Sequence, residues 1–375
     1  MTANTYIMRL LLCTAIVITV VLGVNYTIDP YGITGATRMA GFNQYKVDIN
    51  DFTRLNKKYQ PLAREHNALV LGNSRVEMGV DPAHSCFVAD DLQVYNLGMP
   101  GADVRTQINY ALNVMYQQPI RQIFLSVDFI DFISTDLNPQ VPTPLLDQTT
   151  GQLQYLPSGE PNPDYFETKA MDYYKSLFSL DALVSSFKTV VGQNPLAPDR
   201  DEAGFNPAQD FQAMVQIEGP RALFDQKMQN LRKKYSERWY LRDANGALGP
   251  VFEDLTGFLK IAEQRDVTVY FFTHPFHDSY WALMDEQGLI PLYEDWKRSI
   301  VELAQNANRP ANQFWDFSED SSYIHEPVPD VGAKTGPLQW FWEPAHYRAQ
   351  LGEVMVDAMM SETCGGDVTF GRRIF

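Results

Sequence analysis

Hydrophobic and polar positions divide the chain into an apolar N-terminal run and a long region of alternating patterns. Residues 10–24 read LLLCTAIVITVVLGV without a charge, and apolar residues extend this run on both sides. Because a membrane-spanning helix needs about 20 apolar residues, we expect an N-terminal membrane anchor over residues 1–28. The alternative is a cleaved signal peptide, but the next residues, NYTIDPYG, are bulky and acidic where a signal peptidase needs small ones.

The anchor also predicts a location. Arg9 lies on the short N-terminal side of the apolar run, and positive charge favours the cytoplasmic side of a membrane. We therefore expect a single-pass protein of the inner membrane, with its main domain on the extracytoplasmic, periplasmic side.

Beyond residue 66, short apolar runs alternate with segments of helical spacing. A continuous apolar run at 68–72 predicts a strand buried on both faces, and further strands are predicted at 94–97, 122–129, 267–273 and 314–317. A short helix is predicted to start at Asp81, and longer helices are predicted at 103–117, 254–264, 291–305 and 349–360. This alternation is typical of an α/β fold with a mainly parallel sheet and helices on both faces.

The domain boundaries follow from breaks in this pattern. Residues 29–66 are polar and mixed, which predicts a stalk or linker, and residues 67–362 form the α/β domain. The alternation is interrupted at about 135–250, where Pro, Asn, Asp and Gly give way to helical segments. We expect this helical insertion to lie over the carboxyl edge of the sheet, and residues 363–375 to be a tail.

Charge and cysteine content exclude several classes of function. The net charge of -16, from 30 Lys and Arg against 46 Asp and Glu, provides no basic surface for nucleic acid. The three cysteines form no Cys-x-x-Cys pair, so neither a metal site nor a cofactor is predicted. Cys86 and Cys364 are either a disulfide in an oxidising compartment or two buried thiols.

Candidate chemistry lies directly after the first strand and before the last helix. Sites in open parallel sheets form beyond the carboxyl ends of the strands, and Ser74 follows the first strand within Gly72-Asn73-Ser74-Arg75. The alternative is a serine that caps a helix. His346 lies three residues after Glu343, so a base and a carboxylate that orients it can come from one turn of chain.

Four segments resemble the SGNH/GDSL hydrolase superfamily, and within it membrane-anchored proteins that handle acyl groups on envelope polysaccharides. They are LGNSRVEMGVDP at 71–82, YNLGMPGA at 95–102, SVDF at 126–129 and FWEPAHY at 341–347. The resemblance implies an SGNH-type, flavodoxin-like doubly wound parallel sheet. It also implies Ser74 as nucleophile, His346 as base and Glu343 in the place of the usual aspartate, with oxyanion donors from the N–H of Ser74 and of Gly98 or Gly101.

Two further residues depart from the family pattern. Asn73 replaces the aspartate of the Gly-Asp-Ser motif, and Asp128 stands where an asparagine oxyanion donor is expected. An ionised carboxylate at Asp128 would oppose an oxyanion. Arg75 either binds an anionic substrate or pairs with Glu77 or Asp128, and we favour the ion pair.

Three further side chains are candidate substrate contacts. His274 and His277 follow the fourth predicted strand, and they either contact substrate or pack in the loop. Trp342 precedes the Glu-Pro-Ala-His turn, where it stacks on a sugar ring or packs in the core.

Together these features predict serine-dependent acyl transfer or ester hydrolysis on a cell-envelope or exported polysaccharide. The expected partners are a glycan or acyl-donor substrate, the membrane, and a multi-spanning O-acyltransferase. A plain lipase or esterase is a further interpretation within the enzyme class. The alternative from another class is a catalytically silent scaffold or glycan-binding subunit of a polysaccharide acylation or export assembly.

Overall fold

The computed structural model describes residues 3–140, 142–148, 151–307, 309–333, 335–365 and 368–375. The α-helices are α1 (Ala3–Ile28), α2 (Thr53–Tyr59), α3 (Ser74–Gly79), α4 (Ser85–Ala89), α5 (Val104–Met115), α6 (Tyr165–Leu177), α7 (Leu180–Val191), α8 (Gln209–Glu218), α9 (Pro220–Tyr235), α10 (Pro250–Gln264), α11 (Asp278–Glu286), α12 (Ile290–Asn306), α13 (Ala349–Met359) and α14 (Ser361–Cys364). The strands are β1 (Ala68–Leu71), β2 (Val94–Asn96), β3 (Gln122–Val127), β4 (Thr268–Thr273), β5 (Gln313–Asp316), β6 (Phe341–Glu343), β7 (His346–Tyr347) and β8 (Arg372–Arg373).

A mainly parallel sheet forms the centre of the domain. Its strand order is β2-β1-β3-β4-β5-β8. The first five strands of this order pair in parallel, and β8 pairs antiparallel with β5 at the edge. This confirms the predicted α/β class, since the apolar runs form the strands and the helical segments connect them.

Helices cover both faces of the sheet, as the strand β1 shows. Successive side chains of a strand point to opposite faces. Leu69 and Leu71 belong to a core cluster with residues of α5, α10 and α12, whereas Ala68 and Val70 belong to a second cluster with residues of α3, α4 and α13. All four side chains are fully buried, so apolar residues are required at successive positions of this strand.

The N-terminal helix α1 is long and apolar enough to cross a membrane. It has 26 residues, and its most apolar 18-residue window has a mean hydropathy of 2.5 with none of the window buried. This is consistent with a single-pass anchor, and a signal sequence has the same length and composition. The carboxyl end of α1 is held by the domain, because Asn25 Nδ2 donates to the carbonyl of Leu177 at 2.8 Å and Ser186 Oγ donates to Asn25 Oδ1 at 2.8 Å.

Residues 29–66 form part of the folded domain, which corrects the prediction of a stalk. Tyr31 and Ile49 are buried. Lys46 Nζ donates to the carbonyls of Ile28 and Asp29 at 2.9 and 2.7 Å. Lys57 Nζ is fully buried and donates to the carbonyl of Asn96 at 2.5 Å. The polar sequence of this segment suggests exposure to solvent, but its buried lysines donate hydrogen bonds to backbone carbonyls inside the domain.

The C-terminal tail is also attached to the domain. Cys86 of α4 and Cys364 of α14 form a disulfide with a Cα–Cα distance of 5.4 Å, which decides between the two alternatives for these cysteines. Strand β8 then adds to the edge of the sheet. The predicted start of a helix at Asp81 is wrong, because its carboxylate closes a turn by accepting from the N–H of Ala83 at 2.8 Å and α4 begins only at Ser85.

Candidate functional site

The turn after β1 presents Ser74 at the first position of α3. Asn73 Oδ1 accepts a hydrogen bond from the N–H of Arg75 at 3.0 Å, so Asn73 caps the helix and the Ser74 hydroxyl is left for another partner. Gly72 is required at this turn, because a Cβ there would lie 2.2 Å from a methyl of Val76 and 2.5 Å from Ser126 Oγ. The alternative of Ser74 as a capping residue is therefore wrong.

Ser74, His346 and Glu343 form a continuous hydrogen-bonded chain. Ser74 Oγ lies 2.7 Å from His346 Nε2, and His346 Nδ1 is hydrogen-bonded to Glu343 Oε1. Glu343 and His346 are paired across the antiparallel strands β6 and β7. The second carboxylate oxygen of Glu343 accepts from the N–H of Ala345 at 3.0 Å, which fixes the orientation of the carboxylate. The longer glutamate side chain therefore reaches the histidine.

Charge and burial set the protonation states of this chain. Burial opposes ionisation of Glu343, but the charge and hydrogen bond of His346, together with Lys227, lower the pKa of Glu343 to about 2. Lys227 Nζ lies 3.4 Å from Glu343 Oε1. Burial is also the main influence on His346, and it lowers the pKa of the imidazole against the opposing effect of Glu343. At neutral pH the carboxylate is thus ionised and the imidazole is neutral, as a general base requires.

Arg75 and Asp128 form the ion pair that we favoured. The Asp128 carboxylate accepts from Asn73 Nδ2 at 2.8 Å and is paired with the guanidinium of Arg75. Arg75 Nε also donates to the carbonyl of Ala345 at 2.7 Å, and therefore ties the serine turn to the loop before His346. Burial opposes the charge of Asp128, but Arg75 holds the pKa of this carboxyl below its usual value. Asp128 is therefore ionised and neutralised by a partner.

The structure gives different results for Gly98 and Gly101, the two glycines expected as oxyanion donors. The N–H of Gly98 donates to Asn96 Oδ1 at 2.8 Å, so Gly98 is wrong as a free oxyanion donor. Its lack of a side chain serves packing, since a Cβ would lie 2.6 Å from the backbone nitrogen of Glu77. Gly101 has a φ of 66°, a turn conformation that favours glycine, and its role as a donor stays a prediction. The N–H of Ser74 is in the first turn of α3, where backbone N–H groups have no acceptor within the helix.

Neither His274 nor His277 is placed as an exposed substrate contact. His274 is buried, and its two ring nitrogens have no hydrogen-bond partner among the described residues. Burial, with a contribution from Arg75, lowers the pKa of His274 to about 3, which keeps its ring neutral. His277 is a structural residue, because its ring nitrogens bond to Ser279 Oγ at 2.9 Å and to the carbonyl of Glu326 at 2.7 Å.

Trp342 belongs to the wall of the site and is shielded from solvent. Its ring is buried, lies 6.0 Å from the ring of Phe211, and has the guanidinium of Arg348 at 4.6 Å. Phe211 also lies 5.9 Å from the ring of His346. The packing alternative for Trp342 therefore describes this structure, and stacking on a sugar would require Phe211 to move.

Phe211 and Lys227 are site residues that the sequence analysis missed. They lie in α8 and α9, and so come from the insertion, which places side chains beside His346 and Glu343. Neither residue belongs to a motif. The position of the insertion after β3 is the sole sequence feature that indicates a contribution of this region to the site.

A possible group of metal ligands lies away from Ser74. The ligand atoms of His84, Cys86 and Asp357 are within 4.8 Å of one another. Because Cys86 is bonded to Cys364, its sulfur is not a thiolate, and metals are bound by the thiolate form of cysteine. The pair of His84 and Asp357 that remains provides two ligands, fewer than a structural metal site uses.

No family model matches the chain, and no curated protein is significantly similar to it. The interpretation of the site therefore depends on its geometry.

Proposed function

We propose that the protein is an SGNH-type serine acyltransferase or esterase that acts on a cell-envelope or exported polysaccharide. The observation that carries this proposal is the chain from Ser74 Oγ through His346 to Glu343, with 2.7 Å between the serine oxygen and the imidazole. A serine hydroxyl is a weak nucleophile, and an adjacent base that is oriented by a carboxylate activates it.

The sheet supports the proposed superfamily. The parallel strand order 2-1-3-4-5 is that of flavodoxin-like doubly wound sheets, in which ligands bind where the strand order reverses. That reversal lies between β1 and β3. Ser74 follows β1 and Asp128 follows β3, so the proposed nucleophile lies at this switch point.

The proposed reaction proceeds through an acyl-enzyme. Ser74 Oγ attacks the ester carbonyl carbon while its proton passes to His346 Nε2, and an oxyanion forms on the carbonyl oxygen. Collapse of this intermediate breaks the bond to the leaving alcohol, which takes the proton from His346. A sugar hydroxyl or water then gives its proton to His346 and attacks the acyl carbon, and Ser74 leaves with that proton. Glu343 stays ionised and stabilises the imidazolium formed in each half-reaction.

The substrate class is inferred from the anchor and the family resemblance. A membrane-attached domain on the periplasmic side would meet exported glycans and a multi-spanning O-acyltransferase as a source of acyl groups. Ser74 is half-buried, and the ring of Phe211 lies 5.9 Å from that of its base His346, which suits a reaction in which water is restricted and a sugar hydroxyl competes as acceptor.

A second candidate is a catalytically silent scaffold or glycan-binding subunit. It is supported by the hydrogen bond that occupies the N–H of Gly98 and by the ionised Asp128. Oxyanion stabilisation usually needs several donors, and these two features reduce their number here.

Labelling of the serine distinguishes the two candidates. The detergent-solubilised full-length protein should react with a fluorophosphonate probe and hydrolyse an activated acetate ester. Both activities should be lost in Ser74→Ala and fall at least 100-fold in His346→Ala, because the hydroxyl then lacks its base. Ser85→Ala is the matched control, since Ser85 is the first residue of α4 as Ser74 is of α3.

Loss of labelling in the wild type would favour the other candidate. If the wild-type protein neither labels nor turns over ester, and Ser74→Ala still supports polysaccharide modification in cells, the protein is a scaffold.

A further inference from the structure

Helix α7 carries an exposed apolar face. Leu180, Val184, Phe187 and Val191 follow one another at intervals of four, three and four residues, which places them on one side of a helix. Their exposed fractions are 76%, 54%, 67% and 63%. The opposite side of α7 is buried against the domain and carries small and polar side chains. The helix therefore has its most apolar side facing outwards.

The neighbouring helix α6 extends this surface. Phe166, Tyr174 and Phe178 are exposed, and the rings of Tyr174 and Phe178 are stacked with centroids 5.7 Å apart. We call these seven residues, of which Phe178 directly follows the end of α6, the α6–α7 face. Large exposed apolar side chains on two neighbouring helices mark contact with a protein, a ligand or a membrane when they form a patch.

The contacts of α6 and α7 with α1 indicate what the α6–α7 face lies against. Asn25, the residue after the apolar run of α1, is hydrogen-bonded to Leu177 at the end of α6 and to Ser186 in the middle of α7. A helix rises 1.5 Å per residue, so these contacts lie within about one turn of the last apolar residue of the span. If α1 crosses the membrane, α6 and α7 lie level with the bilayer surface.

The charge of the two helices also suits lipid. Residues 165–191 contain Lys169, Lys175 and Lys188 against Glu167, Asp172 and Asp181, and so carry no net charge. The whole chain has a net charge of -16. The part of the domain nearest the membrane thus lacks the excess acidity that an anionic lipid surface would repel.

We propose that the α6–α7 face is inserted in the interfacial layer of the bilayer beside α1, as a second, monotopic attachment of the domain. Interfacial helices bury an apolar side at the boundary of headgroups and acyl chains. Two attachments fix the tilt and rotation of the domain on the membrane, which a single helix does not. The proposal depends on α1 as a membrane span and does not depend on the chemistry of Ser74.

Spin labels report the position of the face in lipid. The full-length protein is reconstituted in phosphatidylcholine vesicles, and single labels are placed at Leu180→Cys, Val184→Cys or Phe187→Cys in a Cys13→Ala background. Cys86 and Cys364 are bonded to each other and take no label. We expect each label to be more accessible to oxygen than to a water-soluble nickel complex, at every lipid-to-protein ratio.

Two controls make the result decisive. The native Cys13 is exposed on α1, and its label tests whether the helix spans the vesicle membrane. Val331 is a valine with an exposed fraction of 81% outside the two helices, and a label at Val331→Cys should be accessible to the nickel complex. If Cys13 reports lipid while all three α7 labels report water, the proposal is wrong. It is also wrong if the α7 labels are protected only at high protein density, because a second copy then covers the face.

Discussion

At the scale of single residues, opposing influences set the state of the proposed base. Burial, with the charges of Lys227 and Arg75, lowers the pKa of His346 against the opposing effect of Glu343. The positive charge of Lys227 favours the ionised form of Glu343, the carboxylate that orients the imidazole ring. The pKa of the imidazole therefore lies below that of an exposed histidine, and the neutral form is the stable one at neutral pH.

This state predicts the pH dependence of ester hydrolysis. A base must be unprotonated, so kcat/KM should be constant near neutral pH and should fall as His346 gains a proton. Because the pKa of His346 is lowered, the midpoint should lie below the ordinary histidine value of about 6.5. The measurement is a profile of kcat/KM against pH with an activated ester. In Glu343→Gln the midpoint should move further down, since the charge that favours the imidazolium is removed, and a midpoint above the ordinary value would contradict this account.

The site residues differ in how far the sequence could predict them. Ser74, Glu343 and His346 were predictable because they adjoin the ends of regular elements, where the fold brings residues together. The use of the Gly98 N–H could not be predicted, because it depends on the orientation of the Asn96 side chain, which reaches two residues forward to accept the hydrogen bond. Phe211 could not be predicted either, since its position depends on how the insertion packs.

At the scale of elements, helix α3 is held by a buried ion pair from the insertion. Arg200 and Glu77 are both fully buried, and the guanidinium also bonds to Thr53 Oγ1 at 2.8 Å. Asn96 Nδ2 donates to the carbonyls of Val76 and Val80 at 2.8 and 2.7 Å. The helix that starts with Ser74 is thus fixed by β2, the insertion and the segment before β1.

Removal of Arg200 should therefore be costly. Arg200→Ala leaves the Glu77 carboxylate buried without its cation, and breaking a buried pair in this way costs about 3–5 kcal/mol. The free energy of unfolding in urea should fall by that amount. Arg221→Ala is the matched control, because Arg221 pairs with Asp225 on the exposed side of α9, and exposed pairs contribute about 0.5 kcal/mol. Equal losses in the two variants would show that the buried pair does not hold α3.

The difference between buried and exposed elements explains which strands could be predicted from the sequence. Strands β1 and β3 were predictable because both faces are covered and the apolar run is continuous. Strand β8 has two exposed arginines, and it lies at the sheet edge because Arg372 and Arg373 pair with Asp316 and Trp315 of β5. The sequence around β8 has no apolar pattern that indicates this long-range pairing.

At the scale of the whole molecule, the segment between α1 and β1 joins the insertion to the sheet. Lys57 bonds to the carbonyls of Asn96 and Gly204. Arg38 pairs with Asp199 at 2.7 Å, and Lys58 pairs with Asp172 at 2.8 Å. The polar composition of residues 29–66 therefore reflects partners in the insertion, where sequence alone indicates solvent.

This arrangement predicts where the chain can be shortened. A protein that begins at residue 23 keeps Asn25 and the whole of residues 29–66, and it should unfold in one cooperative transition in mild detergent, like the full-length chain. A protein that begins at residue 67 lacks Lys57, Lys58 and Thr53, so Asp172 loses its ion pair with Lys58 and the buried Arg200 loses its hydrogen bond to Thr53. It should aggregate or lose its cooperative transition. The measurement is thermal unfolding of both proteins beside size-exclusion chromatography, and a stable, monodisperse protein from residue 67 would show that residues 29–66 are a dispensable stalk after all.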